Sequence, residues 1–257
     1  MNRFRSIAPS TAFIGFGHVL FAALCVLAFI HRELRVIHVD SAYQIFKWIN
    51  NEGLQIEAHR YSAILPQLCV KLGKAVGVSL RTLVLVASVA HVLVPWAIFG
   101  IIAHGLKKHW MAMAVAICAV VCTRLTFYGI VLEANYLLCY PLLFAAELEC
   151  YRERVTVARS FLLFLSLALV LFVHPLGALI ALFVVVMRFA SGDRHRSIGA
   201  LGVACIVWLC VSRFIFPPTG YEQNVYGGMS TGWASITGAG VQPALDFFFG
   251  HTWGHTT

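Results

Sequence analysis

The chain has 257 residues, 60% hydrophobic and only 12% charged, with a mean hydropathy of +0.82. A soluble domain carries about a quarter charged residues, so that class is excluded and an all-α polytopic membrane protein is expected. The formal charge of +8 excludes less than it promises: Lys and Arg stand in short clusters between apolar runs, which orients helices against anionic lipid and does not track nucleic acid.

In chain order, MNRFR has the basic flank of a signal peptide. The run that follows it, TAFIGFGHVLFAALCVLAFI, is about twenty residues long and no small-x-small site follows. It reads as a retained first span, 12 to 30. Six further apolar runs read as spans at 82 to 105, 110 to 131, 136 to 150, 158 to 173, 176 to 190 and 197 to 216, about seven in all. His174 and Pro175 divide the fifth from the sixth, and because the combined run is too long for one crossing, a hairpin is expected there.

With the N-terminus inside, the cytoplasmic segments hold Arg3, Arg5, Lys107, Lys108, Arg152, Arg154, Arg159, Arg188, Arg194 and Arg196, while the outer turns after spans three and five have no Lys or Arg. This is the positive-inside asymmetry. The exception is the outer segment 31 to 81, with Arg32, Arg35, Lys47, Arg60, Lys71, Lys74 and Arg81. Within it, DSAYQIFKWIN sets Ala42, Tyr43, Ile45, Phe46 and Ile49 at helical spacing, with Asp40, Gln44, Lys47 and Asn51 toward another face. Residues 50 to 53 break that helix, and a second surface-lying helix bears Leu65, Leu68, Leu72 and Val76 before a turn at Gly77 and Ser79. Lys71 and Lys74 make a span of this stretch costly. Residues 217 to 257 read as an outer loop in which ALDFFFGHTW begins a third interfacial helix. The chain then stops without a final span, as expected of a fragment of a longer reading frame.

Of the eight cysteines, Cys25, Cys118, Cys122, Cys139, Cys205 and Cys210 lie within apolar runs and read as small packing residues. Cys69 and Cys150 lie near run boundaries. Cys118 and Cys122 are one turn apart, but no His, Asp or Glu stands near to complete a metal site.

Four polar residues sit where a bland membrane helix would not put them: Asp40, Arg124, Glu133 and His174. Asp40 is either a helix N-cap or a carboxylate that deprotonates a hydroxyl or holds a divalent cation. Glu133 and Asn135, bracketed by Tyr128 and Tyr136, form either a solvated turn or a pair of oxygens for a metal or sugar hydroxyl. Arg124 either snorkels or grips a phosphate in bidentate fashion. His174 is either helix punctuation or a phosphate contact. His59, Arg60 and Arg81 add positive charge near Asp40 and suit a lipid phosphate.

This layout resembles the GT-C superfamily of integral membrane glycosyltransferases. Asp40 stands where that family has its catalytic aspartate soon after span one, with Tyr43 beside it. RYSAILPQ occupies the place of a His-Pro-Pro-Leu-like stretch, Arg81 matches an arginine opening span two, and Glu133 with Asn135 stands where a second acidic motif is found. The chain departs from the pattern with one acid at Asp40 in place of a pair, E-x-N in place of D-x-D, and no Pro-Pro. The resemblance implies a polyprenyl-phosphate-sugar donor, inversion at the anomeric carbon with Asp40 as base, and Arg60, Arg124 or His174 facing the departing phosphate. It implies a bacterial inner membrane, and leaves open a divalent cation, Mg or Mn. The rival readings are a transporter or lipid flippase, and a non-catalytic scaffold of the same fold; no internal repeat favours the transporter.

Overall fold

The computed structural model describes residues 11–37, 39–57, 59–121, 127, 134–153, 155–192, 196–217, 219, 220, 222–224, 227, 228 and 242. All regular structure among them is helical. The chain divides into two compact units, Met1–Cys210 and Val211–Thr257.

In the first unit, α1 (Thr11–Ile30) fills the first predicted span. Its inward seam is Ile14, Gly17, Phe21 and Ala28, one stripe at helical spacing. Gly17 belongs there because the Phe99 ring occupies the room a Cβ would need. Phe99 lies on α5 (Leu80–Gly100), which starts at the cap Ser79, whose Oγ accepts the Thr82 amide, and runs on past Pro95. A π-turn, Ile101–Gly105, prolongs it. Ala12–Ile30 and Leu80–Gly105 are each long and apolar enough to cross a membrane.

The remaining predicted spans form shorter or more polar helices. α6 (His109–Val121) has 13 residues, α8 (Val157–Leu171) has 15 and α9 (Gly177–Ala190) has 14. α7 (Ala134–Glu153) has 20 but ends in Glu147, Glu149, Arg152 and Glu153, and α10 runs over Arg196–Ile215. Among the described residues only two helices therefore reach membrane length by composition, where seven spans were expected. The apolar runs include residues that close turns, such as Phe172 and Val173. Thr156 caps α8 by accepting the Arg159 amide at 3.2 Å. The expected break at His174 and Pro175 is present, and Gly177 just beyond it comes so close to the Val170 carbonyl that a Cβ would overlap it.

The segment 31 to 81 folds as α2 (Arg32–Val36), α3 (Val39–Asn50), a 3-10 turn at Tyr61–Ile64 and α4 (Leu65–Ala75). The two longer helices fall where the sequence puts them, and Gly77 takes φ +73° in the turn to α5, a conformation easy for glycine. The short α2 has too few residues to show a period. The inward face of α3 differs from expectation: Ser41, Ile45 and Trp48 are buried while Tyr43 and Phe46 are exposed. Trp48 and Ile45 pack with Val70, Leu83 and Ala87 into a small core separate from the main one, and the large indole is the aromatic of α3 that this face buries. On α4, Pro66, Gln67 and Val70 turn inward, leaving Leu65, Leu68, Leu72 and Val76 as an outward stripe.

Contacts sort the unit's turns into two ends. At one end Lys108 meets Glu149 at 3.0 Å, Arg188 approaches the same carboxylate at 4.0 Å, and Arg159 meets Glu147 at 3.2 Å. These are cations of the turns expected in the cytoplasm, gathered on α7. At the other end the amide of Ser62 donates to the Phe172 carbonyl at 3.2 Å, and Tyr140 donates to the Ser62 carbonyl at 3.0 Å.

In the second unit, Thr219 and Glu222 form a reciprocal cap. The Thr219 amide donates to Glu222 Oε2 at 2.9 Å and the Glu222 amide to Thr219 Oγ1 at 3.4 Å, the pattern that starts a helix. Helical residues follow at 222–224, within what read as loop. The third interfacial helix expected at ALDFFFGHTW lies outside the described residues.

Candidate functional site

Asp40 lies one residue inside α3, in its first turn, so it is not the cap. A carboxylate there gains from the helix dipole, and the residue is exposed. Tyr43, one turn on, is also exposed, and Lys47 Nζ sits 4.8 Å from its ring centroid. Lys47 donates to Glu57 Oε1 at 2.5 Å, and Gln44 donates to the other oxygen of the same carboxylate. The Glu57 bond holds the Lys47 ammonium pKa above its ordinary value, against a smaller opposing effect of burial.

The residues 59–62 bring a second group of expected site residues to the α8–α9 turn. His59 takes φ +58°, a left-handed conformation that costs a non-glycine residue of order 1 kcal/mol. Its ring stacks on Tyr61 at 6.5 Å. Tyr61 meets the face of Phe172 edge-on at 5.6 Å, and Phe172 meets Trp208 at 4.8 Å. With the Ser62–Phe172 backbone bond, this aromatic chain sets His59 and Arg60 beside the turn that carries His174. His174 Nδ1 accepts the Leu176 amide at 3.1 Å, which stiffens the turn, so the residue does serve as helix punctuation. Arg60 precedes the 3-10 turn and is half-buried. Arg81 is exposed in the first turn of α5, with no ion-pair or hydrogen-bond partner among the described residues.

Asn135 is placed differently from expectation. It is buried in α7, where its Nδ2 donates to His91 Nε2 at 3.3 Å. His91 Nδ1 then faces Tyr136 Oη at 2.9 Å. The amide is thus directed at α5 inside the bundle and not at an outer turn. Arg124, Tyr128 and Glu133 lie outside the described residues, and with them the cavity expected to join Glu133 and Arg124 to Asp40. Among the described residues no three His, Cys, Asp or Glu side chains converge as a metal site would require.

Two polar clusters were not anticipated. Arg35 is completely buried; its Nε donates to the Phe127 carbonyl at 2.7 Å, and its guanidinium carbon sits 4.2 Å from the Phe127 ring centroid. Ser88, which Arg35 also contacts, passes a hydrogen bond to the Ala28 carbonyl at 2.8 Å. The second cluster lies between the two membrane-length helices. Trp96 Nε1 donates to His18 Nδ1 at 2.9 Å, and His18 Nε2 faces His104 Nε2 at 2.8 Å. Arg35 showed in sequence only as one of seven cations in an anomalous outer segment. Its burial, the Lys47–Glu57 pair and the Arg32–Glu33 pair at 3.4 Å give three of those seven a structural reason to be there.

No family model matches the chain, and no curated protein and no solved structure matches it either.

Proposed function

We propose that the chain is a seven-span integral membrane glycosyltransferase of the GT-C kind, with a cytoplasmic N-terminus in a bacterial inner membrane. It moves a sugar from a polyprenyl-phosphate donor to an acceptor hydroxyl at the outer face, with inversion. The observation that carries this reading is the gathering of Asp40, Arg60, Arg81 and His174 on elements of one end of the bundle. There α3 and α4 lie on the start of α5 and residues 59–62 dock on the α8–α9 turn.

In this reading Asp40 takes the acceptor's proton as the acceptor oxygen bonds to the anomeric carbon. The bond from that carbon to the phosphate oxygen breaks, and Arg60, Arg124 or His174 receives the charge left on the lipid phosphate. Tyr43, on the exposed face of α3, and His59 flank the donor, with Arg81 at its phosphate. Tyr128 and Glu133 complete the sugar contacts, and a divalent cation, Mg or Mn, is left open. Asn135, engaged with His91, supports the site from within the bundle. The short α8 and α9 require a locally thinned bilayer, an accommodation of modest cost.

The test is Asp40→Asn in proteoliposomes supplied with polyprenyl-phosphate sugar. Loss of a positioned general base lowers turnover by about 10²- to 10⁴-fold, and undiminished turnover rejects the assignment. A transporter is the second reading, favoured by the His18–His104 pair inside the two membrane-length helices, where ionisable groups mark transport paths. It requires movement of the labelled lipid across the same vesicles without sugar transfer.

A further inference from the structure

Asn51, the residue that follows α3, offers one backbone carbonyl to two ammonium groups. Lys71 Nζ donates to it at 2.5 Å and Lys74 Nζ at 3.3 Å. Both lysines stand on α4, one turn apart, and among the described residues neither has a carboxylate within ion-pair distance. Burial, and then the charge of Lys74, push the Lys71 ammonium pKa down, with Glu52 acting in the opposite direction. An ammonium carries three N–H donors, so a single neutral oxygen leaves most of the pair's donors unused and does nothing for its repulsion. An anion with several oxygens answers both needs.

The neighbouring face of α4 says which anion. Leu68, Leu72 and Val76 are 40%, 69% and 77% exposed and line up at spacings of four, on the side of the helix that turns away from Pro66, Gln67 and Val70. At 100° per residue, Lys71 stands about 60° from Leu68 at the edge of this stripe and Lys74 about 60° further round, between Gln67 and Val70, and both ammonium groups reach back to the Asn51 carbonyl. A charged border beside a bare apolar stripe is the pattern of a helix lying at the level of lipid headgroups.

We propose that Lys71 and Lys74 together hold the phosphodiester of an anionic phospholipid whose acyl chains lie along Leu68, Leu72 and Val76. The site needs α4 to lie at a membrane surface and does not depend on sugar transfer. Free phosphate would satisfy the lysines but would leave the stripe bare.

The experiment uses the full chain purified in neutral detergent, titrated with phosphatidylglycerol or phosphatidylcholine and read by native mass spectrometry and thermal unfolding. Phosphatidylglycerol should bind more tightly. In Lys71→Gln/Lys74→Gln its affinity should fall by roughly thirtyfold, from the usual contribution of two basic residues near a lipid surface, with phosphatidylcholine unchanged. Lys71→Arg/Lys74→Arg should keep the preference, as should Lys47→Gln, whose cation is already held by Glu57. Leu72→Ser, with the lysines intact, should weaken both lipids. Retention of the preference in the Gln pair overturns the site, as does unchanged binding in Leu72→Ser or stabilisation by inorganic phosphate equal to that by phosphatidylglycerol.

Discussion

Arg35 and Ser88 are joined by one nitrogen that donates twice: Nη1 of Arg35 lies 2.6 Å from both the carbonyl and the hydroxyl oxygen of Ser88. Because the same guanidinium also reaches the Phe127 carbonyl, a five-residue helix ties α5 to the turn after α6. The hydroxyl continues the tie to α1.

Replacement of that guanidinium should be among the costliest changes in the protein. Arg35→Lys offers one point charge where a planar fork bridges two elements, and charge-assisted bonds contribute about 1.5–3 kcal/mol each. Destabilisation of roughly 3 kcal/mol is expected in denaturant unfolding of the detergent-purified protein. A change under about 1 kcal/mol, the scale of an ordinary hydrogen bond, would mean that the buried network is not formed.

Gly177→Ala should also destabilise, by about 1–3 kcal/mol or more, the range for overpacking a tight contact. The obstacle is the Val170 backbone carbonyl, which no rotamer change can move. Gly53→Ala, with open space at the Cβ position, is the control and should leave the melting temperature near wild type.

The His18–His104 contact fixes two tautomers. Indole nitrogen only donates, so His18 Nδ1 accepts from Trp96, Nε2 of His18 carries the proton, and His104 Nε2 accepts it. Nitrogen-15 chemical shifts should report His18 protonated at Nε2 and His104 at Nδ1. In Trp96→Phe, His18 should sample both forms. A wild-type His18 protonated at Nδ1 would contradict the arrangement.

The Lys47–Glu57 pair gives a pH signature. The folded-state pKa of Lys47 is raised above its ordinary value of 10.5, so its contribution to stability is fully present below that value and is lost as the pH rises through the raised one. Thermal melts should fall more steeply above about pH 10.5 in the wild type than in Glu57→Gln, where the raising partner is gone. Identical alkaline slopes would show that the pair does not form.

The helices of segment 31 to 81 were legible because their signals are local: an apolar period, a break at 50–53, and a glycine where the backbone needs positive φ. The orientation of α3 was not, since period alone does not tell which of two apolar-bearing faces contains the residue that gains most from burial, here Trp48. Helix bounds from α7 onward lie close to the apolar runs, and hydropathy could not show only that turn residues such as Phe172 and Val173 lengthen a run without lengthening its helix. Of the site, the sequence could mark Asp40, His59, Arg60 and His174 as misplaced polar groups, and could not reveal that residues 59–62 reach His174 through Phe172. That contact joins residues more than a hundred positions apart. Asn135 shows the converse error, since a polar residue beside a turn was directed outward on paper while its actual partner, His91, sits in an apolar run that drew no attention.

The missing side chain at Gly177 also governs how α8 and α9 can move. With the carbonyl of Val170 seated in that notch, sliding one helix past the other by a single residue would drive Ala178 into the backbone. Any rearrangement that slides those two helices along each other must first lift the Val170 carbonyl out of that notch.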